Sequence, residues 1–222
     1  MYAKKSSLLG YLAFLALIFT AHSQEVKQNN QSLFDGFMNR GGNVYRTASG
    51  KPGPEYWQNR ANYEIEVELN DEDHTITGNL TIEYINNSPE KLDFIWLYVE
   101  QNRFTENSRG TLTTPPGGNR YNGDTRGGYD ISNVQVDGDN AEYLIDDTRM
   151  QIFLKEPLKD QGDEVELSMS FSFTIPEEGM DRMGRLKVEE GWIYALAQWY
   201  PRVAVFDDVT GWNVEPYLGA GE

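Results

Sequence analysis

Cysteine is absent from all 222 residues, so no disulfide can brace the fold and no lipid-modified cysteine can anchor the chain. Histidine is almost as scarce: only His22 and His74 occur. Basic residues are outnumbered, with 19 Lys and Arg against 35 Asp and Glu and a formal charge of −16. A chain so acidic repels phosphate backbones and anionic lipid heads, which bind through basic patches. Nucleic acid is therefore not an expected partner. There is no H-E-x-x-H helix, no G-x-S-x-G elbow, no phosphate loop and no dinucleotide fingerprint. On its own residues the chain carries no recognisable catalytic machinery. Beyond the first twenty-odd residues no ten-residue amphipathic helix pattern occurs either, which points away from helical folds.

What is present begins with a leader. Lys4 and Lys5 precede an apolar run from Leu8 to Phe19, and Ala21-His22-Ser23 supplies small residues where a signal peptidase reads. Twelve helical residues rise only about 18 Å, too short for a hydrocarbon core of roughly 30 Å. Residues 1–23 thus read as an export signal cleaved after Ser23, with a periplasmic or extracellular destination and no stable membrane anchor left behind. Cleavage removes Lys4 and Lys5 and takes the formal charge to −18.

From Tyr63 the chain is written in period two. "NYEIEVELN" alternates Tyr63, Ile65, Val67 and Leu69 with Glu64, Glu66 and Glu68, the signature of a strand with one wet face. "HTITGNLTIEYINN" runs back after a turn, and Gly78 within it predicts a bulge or a close backbone approach. "KLDFIWLYVE" follows as an apolar strand expected to be covered on both faces. Short turns between these three predict an antiparallel meander. Residues 103–129, rich in Gly, Pro, Asn and Thr, predict a long ordered loop across a sheet edge, anchored by Tyr121 and Tyr129. Strands resume at "YDISNVQVDG", "AEYLID", "RMQIFLK" and "DEVELSMSFSFTIP". The last places Val165, Leu167, Met169, Phe171 and Phe173 on one side. The predicted fold is all-β, a saddle-like or sandwich arrangement of mostly antiparallel strands.

Two candidates for chemistry have plainer explanations. His74 sits among Asp71, Glu72 and Asp73, yet a metal site needs two or three further ligands, so a solvated turn histidine is expected. "VDGDNAEYLIDD" has the acids but not the spacing of a calcium loop, and a Gly-Asp hairpin turn at Gly138-Asp139 explains the same letters instead.

The segments "NYEIEVELNDEDHTITGNLTIEYINNSPEKLDFIWLYVE" and "AQWYPRVAVFDDVTGWNVEPYLGAGE" resemble the amino-terminal β-saddle domain of aminopeptidase N-type (gluzincin) zinc metallopeptidases, in an exported bacterial subgroup. The resemblance spans roughly residues 39–222. It implies that Gln198 lies beside the active-site cleft and helps form the pocket for a substrate's first side chain. An amide suits that place because it donates and accepts without adding charge. Tyr200 falls where many relatives carry a glutamate that grips a peptide's amino terminus, and a phenol supplies no full negative charge for an ammonium. Strict aminopeptidase specificity is therefore not implied.

The family's zinc is held by H-E-x-x-H and a more distant Glu on a following catalytic domain, and none of these motifs occurs here. The resemblance thus predicts a substrate-cleft domain that is inactive by itself, with no catalytic residue, no metal ligand and no cofactor of its own. Its partners would be the absent catalytic domain and, in the full-length protein, a peptide substrate. The expected division is 1–23 leader, 24–61 extension, 62–206 β-saddle and 207–222 lead-in to the catalytic domain. That lead-in is expected to pack poorly, with Trp212 and Tyr217 more exposed than core aromatics usually are. The alternative is a free-standing exported β-sandwich that binds glycan or protein through the 103–129 loop.

Overall fold

The computed structural model describes residues 41–113, 127–177 and 183–219. The leader and Tyr121 lie outside these residues. The strands in chain order are β1 (Arg60–Asn70), β2 (Thr75–Asn86), β3 (Leu92–Tyr98), β4 (Asp130–Val136), β5 (Asp139–Asn140), β6 (Tyr143–Asp146), β7 (Arg149–Leu158), β8 (Asp163–Thr174), β9 (Met183–Val188), β10 (Gly191–Leu196), β11 (Arg202–Val203), β12 (Phe206–Asp207) and β13 (Gly211–Trp212). A 3₁₀ turn, Glu100–Phe104, and one short helix, α1 (Arg109–Thr113), lie between β3 and β4.

Two antiparallel sheets form the body. One has the order β1-β2-β8-β4-β5 and the other β11-β3-β7-β6, with β9-β10 and β12-β13 as separate ribbons. The all-β expectation holds. The alternation in β8 is realised residue by residue: Val165, Leu167, Met169, Phe171 and Phe173 are all buried. They meet Ile76, Leu80, Ile82 and Tyr84 of β2, Ile95 and Leu97 of β3, and Met150 and Ile152 of β7 in one core. Apolar burial on this scale is what holds a disulfide-free chain together.

The meander is corrected. β1 pairs with β2, but β2 pairs with β8, and β3 pairs with β7 in the other sheet. The turn after β2 is not a hairpin but a corner that changes sheets. Asn86 and Ser88 are fully buried in it. Asn86 Nδ2 donates to the carbonyls of Glu90 and Lys159, and Ser88 Oγ donates to Asn86 Oδ1. The β7–β8 connection crosses at the same place, with the N–H groups of Gln161 and Gly162 donating to the carbonyls of Ser88 and Asn86. Side-chain amides thus satisfy the backbone groups that a ladder would have paired. β3 is buried on one face only. Its other face, Phe94, Trp96 and Tyr98, is half-buried, with Arg149 over Trp96 and Arg202 over Tyr98.

Gly78 marks a close approach and not a bulge. The β1–β2 register runs unbroken through Val67↔Gly78, and a Cβ at Gly78 would lie 2.7 Å from Phe171 Cζ. Asp137 and Gly138 take φ of 51° and 81° in the two-residue turn between β4 and β5, the backbone that an Asp-Gly hairpin requires.

The segment after 206 is also corrected, because it packs well. Trp212 stacks on Tyr84 and lies 5.1 Å from Phe206. Asp207 Oδ1 accepts the N–H groups of Val209 and Thr210, closing the β12–β13 turn. Tyr98 Oη, Arg149 Nη1 and Arg103 Nε donate to the carbonyls of Asn213, Val214 and Leu218, and Tyr217 N–H donates to Thr148 Oγ1. Trp212 and Tyr217 are half-buried.

Candidate functional site

The site grows from a polar turn buried where β3 ends. All five residues of Glu100–Phe104 are buried, although four are polar or charged, so each needs a partner. Asn102 Nδ2 donates to the carbonyl of Asp147, and Asn102 Oδ1 accepts the N–H of Tyr129. Gln101 Nε2 donates to the carbonyls of Ala197 and Gln198 at 3.2 and 2.9 Å. Both carboxylate oxygens of Glu100 accept from Arg202, with Nη2···Oε1 at 2.7 Å. The Glu100 side chain is 2% exposed and the Arg202 side chain 43%, so a buried carboxylate is neutralised from the rim.

Of the two residues singled out by the family resemblance, Gln198 is bonded to this turn and Tyr200 follows two residues later. Gln198 has φ +47°, a left-handed conformation uncommon outside glycine. Its carbonyl is held by Gln101 and by Tyr129 Oη at 3.3 Å. Tyr200 packs edge-on against Trp199 (centroids 5.1 Å) and Tyr63 (5.7 Å). Trp199 in turn faces Phe171 of the core. Both Gln198 and Tyr200 are half-buried. β1 supplies Tyr63, which packs on Tyr200 and whose Oη accepts the N–H of Val203, so β1 and β11 are joined beside Tyr200.

Four tyrosine phenols, three near this turn or β1 and Tyr84 at the neighbouring cleft, are raised above their ordinary value. Burial pushes Tyr129 well above the ordinary phenol value, and Glu100 pushes it further. Burial also raises Tyr63 and Tyr98, against opposing bonds and charges from Val203 and Arg202. Tyr84, buried and bonded by Asn59, is pushed up to about 12. Uncharged hydroxyls of this kind donate or accept hydrogen bonds but do not supply a base at neutral pH.

Of the expected loop anchors, Tyr129 packs edge-on against Phe171 and Phe173. The Glu100–Phe104 turn was not legible as a structured element. Glu100 falls at the end of the expected strand and Arg103 at the start of the expected loop, and nothing in the letters between them marks a buried turn.

His74 is not a solvated turn residue. It is half-buried with φ +60°. Its Nδ1 lies 2.8 Å from Tyr194 Oη, and its ring packs edge-on to Trp192 at 4.4 Å. It docks the β9–β10 ribbon on the β1–β2 turn. No group of three or more His, Cys, Asp or Glu able to hold a metal exists among the described residues. A cleft of about 380 Å³ opens behind Tyr84, lined by Tyr56, Trp57, Asn59, Arg60 and Phe206 among others; neither Gln198 nor Tyr200 lines it.

No family model matches the chain, and no curated protein matches it. Among solved structures it is similar to the M1 zinc metallopeptidase of Deinococcus radiodurans, at 15% identity and a TM-score of 0.37 over 63% of this chain and 25% of that one. A mutant of an M1 zinc metallopeptidase from the same organism, bound to a Tyr-Ser-Ala substrate, matches at 13% identity and a TM-score of 0.36 over 56% and 22%. The chain spans about a quarter or less of the length of these structures. Likenesses of this size fix neither fold nor function.

Proposed function

We propose that the chain is the amino-terminal substrate-cleft domain of an exported zinc metallopeptidase of the aminopeptidase N type, without proteolytic activity of its own. The observation that carries the reading is the way Gln198 is held. A left-handed glutamine costs about 1–3 kcal/mol and persists only where its surroundings over-determine it. Here buried Gln101 and Tyr129 do so, at the residue that the family resemblance assigns to the substrate pocket. Tyr200, braced by Tyr63 and Trp199, offers a neutral surface beside it. In this reading the zinc, its ligands and the water-activating Glu come from a separate catalytic domain, and export places the protein in the periplasm or outside the cell.

The experiment is to read the gene beyond the codon for Glu222 and assay its whole product. The reading expects an in-frame H-E-x-x-H, zinc-dependent peptide cleavage, and a Gln198→Ala variant whose preference among first side chains changes with little change in fold. A stop codon directly after Glu222, or a Gln198→Ala enzyme with unaltered preference, overturns it.

A further inference from the structure

We propose that the free edge of β1 is a strand-addition site for an extended peptide that alternates basic and apolar residues. The inference stands on β1 alone and does not depend on the metallopeptidase reading.

β1 ends the five-stranded sheet, and among the described residues no strand pairs with its outer edge. It is eleven residues long and its register with β2 is unbroken. Proteins usually blunt such an edge with a proline, charged side chains, above all lysine, a bulge or a covering segment. Here the charges after Arg60 are glutamates alone, so the edge repels its own kind but admits a basic strand. The stretch "RANYEIEVELN" contains neither proline nor lysine, and its pairing shows no bulge.

Both faces of β1 are unfinished. Its inner residues continue the core face of β2, with Tyr63 opposite Ile82, Ile65 opposite Leu80, Val67 opposite Gly78 and Leu69 opposite Ile76. Ile76, Leu80 and Ile82 are buried, whereas Val67 and Leu69 are 49% and 43% exposed. The second sheet stops at β11, whose Val203 N–H donates to Tyr63 Oη. Among the described residues, therefore, an apolar row in register with the core is left uncovered. On the outer face Glu64, Glu66 and Glu68 form an exposed row, and none of them is ion-paired among the described residues.

These features select the occupant. Main-chain hydrogen bonds to a free edge give affinity, and alternate side chains give specificity. A second copy of the chain paired through β1 would set glutamate rows side by side, and like charges directly across a ladder are destabilising. A strand with Lys or Arg at every second position neutralises the row, while the residues between them extend the apolar face beside Val67 and Leu69. Because Tyr63 is fixed by Val203 and Tyr200, the added strand would meet an ordered edge with little to reorganise.

The probe is an eight-residue peptide alternating lysine and valine, titrated into the full chain. The proposal expects saturable binding, slowed amide exchange at alternate residues of Arg60–Asn70, and affinity at least about tenfold weaker for the same peptide N-methylated on alternate amides. A Glu64→Lys, Glu66→Lys, Glu68→Lys variant, altered only at exposed side chains, should reverse the preference towards a glutamate–valine peptide. Undiminished binding of the N-methylated peptide would show charge attraction without strand pairing and overturn the proposal. So would protection elsewhere, no binding at all, or a dimer that protects β1 without peptide.

Discussion

Replacing Arg202 by methionine should destabilise the protein far more than the loss of an ordinary surface arginine. The variant keeps most of the side-chain volume against Tyr98, where the guanidinium carbon sits 4.7 Å from the ring centroid, but leaves the Glu100 carboxylate buried with no counter-charge. Breaking a buried ion pair from one side costs about 3–5 kcal/mol. Arg202 is 43% exposed, so solvent screens part of the attraction, and the loss should fall near the lower end, at ~3 kcal/mol. With a urea m-value of about 2 kcal/mol/M, the midpoint should drop by roughly 1.5 M. Adding Glu100→Gln to Arg202→Met removes the stranded charge and should recover all but ~1 kcal/mol. The measurement is a double-mutant cycle from urea unfolding. If the two single losses simply add within about 0.5 kcal/mol, Glu100 does not depend on Arg202, and the account of the buried turn is wrong.

Gly78→Ala places a methyl 2.7 Å from Phe171 Cζ with Phe171 only 2% exposed. It should cost about 1–3 kcal/mol, and an unchanged thermal midpoint would refute the close approach. Asp207 is held below the ordinary carboxyl value: burial pushes it up, but the N–H groups of Thr210 and Val209 and the side chains of Asn213 and Thr210 outweigh that. A depressed folded value means that its stabilisation is complete above the unfolded carboxyl value of about 3.9 and fades as pH falls through the folded one. Asp207→Asn should therefore be less stable at pH 7 and lose less on acidification below pH 4, as read from urea midpoints across pH; parallel curves for the two proteins would refute this.

Strands were legible in the sequence wherever one face is dry and the other wet. The five apolar residues of β8 sit where their period of two puts them, and Gly138 marked a hairpin turn whose central pair is Asp137-Gly138, one residue before the expected Gly-Asp pair. Partner choice was not legible. "NNSPE" has the letters of a hairpin turn, but whether a corner folds back or changes sheets depends on buried Asn86 and Ser88 bonding to Lys159 and Gln161, more than seventy residues further on. His74 failed for the same reason, since its partners Trp192 and Tyr194 lie in a distant ribbon. Of the site, Gln198 and Tyr200 came from family likeness and not from pattern. Gln101, which holds the Gln198 carbonyl, and its neighbour Glu100 were hidden because buried polar residues look like loop until their partners are known. The segment after 206 was misjudged because Trp212 finds its neighbours, Tyr84 and Phe206, within the chain.

The central ladder between β2 and β8 joins residues such as Ile82 and Leu167, separated by most of the chain's β-rich length. During synthesis the first hairpin therefore emerges with one greasy side bare and must wait until Thr174 has been made before it can be covered. Contacts so remote in sequence assemble slowly, and the interval favours aggregation. A protein wired in this way should depend on holdase chaperones early in its life, and variants that weaken β8 should be lost as nascent chains before any defect shows in the finished molecule.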